Sequence, residues 1–148
     1  MQITPELVRD VGRAPTFARL SEPHIAALLR LMKPNTLAKD EVLFRQGSPG
    51  DTMIVIVSGK LGVSLDREGK LKPIAEFGRG EAVGEMSFLD PAPRSATVFA
   101  VQPTEVLELS SAVLDMLRQK APSALVALVT GVRDRVTKAL RDADRRMS

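Results

Sequence analysis

The chain has 148 residues, 44% hydrophobic and 26% charged, with a net charge of +3. That balance suits one soluble globular domain with a single real core, and it is too close to neutral to argue for nucleic acid. Cysteine is absent and His24 is the single histidine. Disulfides, thiol catalysis, cysteine-based zinc sites and multi-histidine metal centres are therefore excluded, and a reducing, cytoplasmic setting fits.

No apolar run approaches the roughly 18 to 20 residues that span a bilayer, so no membrane contact is expected. The polar, acid-bearing start, Met1 to Asp10, argues against a signal peptide. Trp and Tyr are missing, and without aromatic platforms no contact with single-stranded nucleic acid is expected.

The N-terminal zone, residues 1–36, reads as helical. Pro5 opens a helix through Arg13, and Ser21-Glu22-Pro23 starts a second. Ile25, Leu28, Leu29 and Met32 recur at helical spacing in that second helix, which Pro34-Asn35 should end. His24 lies among them and reads as a partly buried surface residue.

The middle zone, residues 37–110, changes period. Val42 to Phe44 and Met53 to Val57 are short apolar runs, the latter rich in β-branched residues. Leu61, Val63 and Leu65 alternate with polar or small neighbours, as in a half-buried strand. Asp66 to Lys70 is a turn, after which Ile74 to Phe77, Ala96 to Val101 and Val106 to Leu109 return as strands. Many short strands punctuated by glycines argue for a barrel or roll.

The last zone, residues 111–148, is helical again. Ser110-Ser111 can cap a helix to about Lys120, and Pro122 opens another to the end. The order helices, strands, helices makes the class α+β within one domain, residues 1–148.

The chemistry concentrates between Val83 and Val98. Gly84 permits close backbone approach, and Glu85 to Leu89 is long enough for one helical turn. Pro91 and Pro93 stop that turn from continuing. A short helix beginning at a glycine offers free backbone N–H groups to an anion. Arg94 follows the rigid proline turn and can fold back over the same anion, with the Ser95 hydroxyl beside it. Glu85 would repel a phosphate, so its presence asks for a ligand that also offers a hydroxyl, as a sugar does. No nucleophile and base are paired anywhere, so the chain is not expected to be an enzyme. Gly78-x-Gly80-x-x-x-Gly84 has the wrong final spacing for a dinucleotide fingerprint, and no P-loop is present.

On these residues the chain resembles the cyclic-nucleotide-binding domain family, which includes catabolite activator proteins, kinase regulatory subunits and cyclic-nucleotide-gated channels. The resemblance is strongest in Gly84-Glu85-Met86-Ser87 and in Pro93-Arg94-Ser95-Ala96-Thr97-Val98, which look like the family's phosphate-binding cassette. Gln46-Gly47, Gly50-Asp51, Ile56-Val57-Ser58-Gly59 and Gly80 fall where the family's turns fall.

The resemblance implies an antiparallel, jelly-roll-like β-roll with N-terminal helices, a short phosphate-binding helix and two C-terminal helices. It implies that Arg94 binds the cyclic phosphate of cAMP or cGMP and that Glu85 binds the ribose 2′-hydroxyl. Val63, Ile74 and Val83 would line the base side. Val83 stands where the family often carries an aromatic residue, which makes that wall smaller. Relatives often close the pocket with a residue of the last helix; Arg133, Thr137 and Leu140 are the candidates here. The implied ligand is the only small molecule called for, with no further cofactor.

Leu125, Val129, Val132, Val136, Ala139 and Ala143 form a heptad-like seam. It reads either as a homodimer contact or as packing onto the chain's own roll, and Gly131 beside it reads as a hinge. Arg133, Arg135, Lys138, Arg141, Arg145 and Arg146, interleaved with Asp134, Asp142 and Asp144, read as a solvated face laced with ion pairs. Arg141 with Asp144, and Asp142 with Arg146, are the expected pairs. The expectation is a regulatory sensor acting on an unidentified effector protein, either standing alone or as a piece of a larger protein. The rivals are the sensor portion of a catabolite-activator-type DNA-binding regulator and a dimerisation module with a vestigial pocket.

Overall fold

A computed structural model describes the backbone of residues 2–147 and the side chains of residues 2–142. Two helices come first. Helix α1 (Pro5–Gly12) is capped by Thr4, whose Oγ1 accepts from the Leu7 amide at 3.1 Å. Helix α2 (Glu22–Leu31) is capped by Ser21, whose Oγ accepts from the His24 amide at 3.3 Å. His24 itself is exposed rather than partly buried, because it occupies the solvent side of that first turn.

The strands follow as β1 (Lys33–Leu37), β2 (Val42–Phe44), β3 (Pro49–Gly50), β4 (Thr52–Ser58), β5 (Lys60–Arg67), β6 (Lys70–Gly78) and β7 (Ala82–Val83). The short helix α3 (Glu85–Leu89) then precedes β8 (Ala92–Pro93), β9 (Thr97–Ala100) and β10 (Thr104–Ser110). Two helices complete the chain, α4 (Val113–Lys120) and α5 (Pro122–Met147).

One sheet has the order β1-β10-β4-β7 and a second has β2-β9-β5-β6, with β3-β8 as a small ribbon. Every pairing is antiparallel, and the whole is a β-roll flanked by helices. The helical zone expected through residue 36 is shorter than that. It ends at Leu31, and Lys33 already pairs with Glu108. Pro34 sits within β1 because β1 is an edge strand, where a missing N–H goes unneeded. The expected serine cap of α4 is also displaced. Ala112 is its N-cap, and Ser110 Oγ accepts the Ala112 amide at 3.3 Å instead.

Two apolar clusters hold the fold. Inside the roll, Leu37, Ile54, Ile56, Leu61, Val98 and Val106 pack together. Outside it, the other face of β4 and β10, through Met53, Val55, Leu107 and Leu109, meets the N- and C-terminal helices around Phe17 and Phe88. Alternate residues of β4 therefore serve different cores, which is why the run Met53 to Ile56 is apolar at every position.

Helix α5 lies on this second cluster through Ala124 and Leu128, and Val132, four residues further on, is buried as well. The heptad-like seam is thus split. Val132 is buried and Leu125 packs on the chain's own core, whereas Val129 is 41% exposed and Ala139 is exposed. Ala143 and the pairs involving Asp144 and Arg146 lie outside the described residues.

Gly131 is a close-packing point rather than a hinge. A Cβ there would collide with the carbonyl oxygen of Thr16, so only glycine lets α5 cross the turn at residues 15–16 at backbone contact. The Arg19–Asp134 pair at 2.7 Å fastens the same crossing. Gly131→Ala should therefore destabilise the protein by about 1–3 kcal/mol despite alanine's higher helix propensity. Urea denaturation of the two proteins reads this directly; an unchanged or raised midpoint would show that the crossing is loose.

Candidate ligand-binding site

Between β5, β6, α3 and the middle of α5 lies a cavity of about 320 Å³. Helix α3 begins at Gly84, which adopts φ +84° and ψ 15° and carries no side chain that could cap the turn. A Cβ at Gly84 would also stand 2.8 Å from Arg94 Nη1, so glycine is required twice over. Ser87 Oγ donates to the Ala92 carbonyl at 3.3 Å and so closes the cassette loop on itself.

Arg94 is only 6% exposed. Its backbone is pinned to the turn before β3: its amide donates to Ser48 O and its carbonyl accepts from the Gly47 amide, both at 2.8 Å. Its guanidinium lies 3.5 Å from the centroid of the Phe44 ring. On another side is Gly50, where a methyl group would collide with Nε and Cζ. Nη1 donates to the Thr52 carbonyl at 3.0 Å and Nη2 to Thr52 Oγ1 at 2.8 Å. Nε remains buried with no hydrogen-bond partner among the described residues. Burial lowers the guanidinium's pKa, against which the nearby charges of Asp51 and Glu108 act. The result is a fixed cation with a spare donor, suited to an anion.

Glu85, 2% exposed, supplies the opposite charge. Arg135 Nε of α5 stands 2.7 Å from its Oε2, and Thr16 Oγ1 donates to the same oxygen at 3.1 Å. Burial raises the Glu85 pKa above the ordinary 4.5, and the Arg135 charge is the largest effect pulling it back down.

All ten expected ligand residues border this one cavity. Val63, Ile74 and Val83 form its apolar wall, Gly84, Glu85, Met86 and Ser87 one side, and Arg94, Ser95 and Ala96 another. Val63 and Leu65 are less buried than Leu61 on the same strand because they face this space.

The last helix reaches the cavity through Arg135 and Val136, not through the expected Arg133, Thr137 or Leu140. Arg133 is exposed beside Asp134, and Leu140 is 67% exposed. Thr137 is half-buried but lines no part of the cavity. The helical rotation set by Ala124, Leu128 and Val132 turns 135 and 136 inward and carries 133 and 140 out. That buried four-residue step was the available signal for Arg135. Phe44, Thr52 and Thr16 gave no comparable one, since their roles arise across the fold.

A larger cleft of about 590 Å³ adjoins the site and shares Ala75, Phe77 and Arg135 with it. Asp10 in that cleft is already paired with Arg13 and Arg79, each at 2.7 Å. Neither Arg94 nor the cassette lines it. Among the described residues no group of three His, Cys, Asp or Glu could hold a metal ion, and no helix is long and apolar enough to cross a membrane.

A roll that carries a buried arginine and a buried carboxylate on one small cavity defines a ligand-binding regulatory β-roll. The sequence profile of the cyclic nucleotide-binding domain matches residues 34–121, and the chain belongs to that family. It is 33% identical over 112 residues to a cyclic nucleotide-gated potassium channel of Mesorhizobium japonicum, covering 76% of this chain and 30% of the channel. The chain thus spans under a third of the length of the curated relatives it matches first.

Among solved structures, a cyclic nucleotide-binding domain from Methylobacillus flagellatus superposes with a TM-score of 0.83 at 28% identity, covering 95% of this chain and 80% of that one. The catabolite activator protein of Thermus thermophilus superposes with a TM-score of 0.77, also at 28% identity, covering 90% of this chain and 61% of that one.

The raised pKa of Glu85 fixes a sign. A carboxyl group that binds its proton more tightly in the folded state stabilises folding at low pH and loses that contribution as pH rises from the unfolded value toward the folded one. The stability of the wild type relative to Glu85→Gln should therefore fall as pH is raised above about 4.5. Paired denaturation series across pH measure it, and a relative stability that climbs with pH would mean that Arg135 outweighs burial.

Proposed function

We propose that this chain binds a cyclic nucleoside monophosphate and acts as a non-enzymatic sensor. Arg94 holds the cyclic phosphate, Glu85 takes the ribose 2′-hydroxyl, and Val63, Ile74 and Val83 face the base. Gly84, Met86, Ser87, Ser95 and Ala96 complete the contact surface. The observation that carries this is that Arg94, a buried cation whose Nε has no partner among the described residues, lines the same cavity as the Glu85 carboxylate. At about 320 Å³ the cavity lies in the range of small-ligand pockets, roughly 300–1,000 Å³. Binding would shift a population of conformers in which α4 and α5 move, passing the signal to an effector protein.

The base preferred is adenine over guanine. Ser95 follows the phosphate arginine, where relatives that favour cGMP often carry threonine. The second reading, favoured by how little of its relatives' length the chain spans, is the sensor portion of a larger regulator, of the DNA-binding catabolite-activator type among others. A natural coding sequence extended by a helix-turn-helix would select it.

A homodimer through α5 goes with either reading. Val126, Val129 and Leu140 are 66%, 41% and 67% exposed, and at 100° per residue they fall within about 60° of one another on the helix surface. This face, rather than one centred on Val132, is the one left for a second copy. Val126→Glu should then give monomers in light scattering without loss of stability; a wild type that is monomeric at high micromolar concentration, with and without cAMP, sinks the dimer.

Calorimetric titration with cAMP and cGMP tests the binding. Arg94→Leu should weaken cAMP by about 10- to 100-fold, the worth of a charge-assisted hydrogen bond, with the fold retained. Gly50→Ala should do likewise by pushing the guanidinium off its seat. Unchanged titrations for both variants, or no heat with either nucleotide for the wild type, would reject the reading. Tighter binding of cGMP by more than about tenfold, or 1.4 kcal/mol, would reverse the base preference.

A further inference from the structure

Glu85 is where three parts of the chain meet. It belongs to α3, Thr16 to the turn between α1 and α2, and Arg135 to α5. Both partners act on the same atom, Oε2; the Glu85 main-chain N–H also bonds the carboxylate, and no side-chain hydrogen bond falls on Oε1 among the described residues. Arg135 is itself seated. Its guanidinium carbon lies 5.2 Å from the centroid of the Phe77 ring, and its side chain is 26% exposed. It forms part of the wall between the ligand cavity and the larger cleft. Thr16 is 1% exposed and lies under α5 at Gly131.

We infer that Arg135 and Thr16 are positioning residues for sugar recognition: by gripping Oε2 of Glu85 they leave Oε1 for a ligand hydroxyl, so that the 2′-hydroxyl is read only while α5 is docked. This rests on the cyclic-nucleotide reading above. Arg135 is the one charged group acting appreciably on the Glu85 carboxylate among the described residues, and its charge favours the ionised, accepting form against the burial that raises the pKa. An ionised acceptor binds a hydroxyl more strongly than a neutral one. Linkage then works both ways: a ligand with a 2′-hydroxyl favours the docked helix, and the docked helix favours that ligand.

The experiment compares cAMP with 2′-deoxy-cAMP on the wild type, Arg135→Met, Arg135→Lys and Thr16→Val, by calorimetry from about pH 6 to pH 9. The wild type should prefer cAMP by roughly tenfold or more. Arg135→Met should lose most of that preference at the low end and regain it as pH rises and Glu85 ionises unaided. Arg135→Lys keeps the charge and should keep the preference. Thr16→Val removes a hydroxyl but no charge, and should reduce the preference without the pH dependence. Hydrogen exchange of α5 should be slowed more by cAMP than by the deoxy ligand in the wild type, and equally by both in Arg135→Met.

Failure of both nucleotides to bind the wild type would overturn the ligand reading and the inference together. Binding of both, with the preference intact in Arg135→Met at every pH, would overturn the inference alone. A loss in Arg135→Lys equal to that in Arg135→Met would assign Arg135 to packing and also overturn it.

Discussion

A carboxylate taken out of water is costly, and Glu85 is taken out almost completely. The cost is offset by a guanidinium that arrives from the other end of the chain, Arg135, and by a hydroxyl from the N-terminal turn, Thr16. Much of the architecture can be read as the means of bringing those groups together. Gly131 allows α5 to lie against residues 15–16, Arg19 fastens Asp134, and Ala124, Leu128 and Val132 set the rotation that turns Arg135 inward. Removing one partner of such a pair leaves a buried charge uncompensated, which is why the cassette and the last helix are not independent.

The second charge of the site, Arg94, is solved differently. No acid among the described residues forms an ion pair with it. Its guanidinium is held by an aromatic face, a backbone carbonyl and a threonine hydroxyl, and seated by the missing side chain of Gly50. Neutral partners position the cation without neutralising it, and its Nε–H stays without a partner among the described residues. A carboxylate in that place would have held Arg94 more tightly and competed with an incoming anion. The two charges of the cavity thus differ in kind: Glu85 is tied to the helical layer, whereas Arg94 is tied to the roll.

The roll has the cavity on the inner side of β5 and the helical layer on the outer side of β4 and β10. Helix α3 has one end in each environment: its Phe88 is fully buried in the helical cluster while Glu85 lines the cavity.

Local chemistry was legible in the amino-acid sequence. The class and the order of elements followed from glycine and proline placement and strand alternation, and an anion-binding segment around Gly84, Glu85 and Arg94 from its local pattern, because those signals act within a few residues; the base-side residues Val63, Ile74 and Val83 came from the family resemblance. What acts across the fold was not legible. The sequence has no means of saying that Pro34 sits on an edge strand, that Gly131 meets Thr16, or that Phe44 and Thr52 seat Arg94. Arg135 read as one more solvated cation, and Val132 as part of a seam that could pack on a second copy or on the chain's own roll. The tertiary structure decided both, because the rotation of α5 about its axis is set by packing on a core drawn from β4, β10 and the N-terminal helices. A change of one residue in that rotation would have placed a different side chain against Glu85.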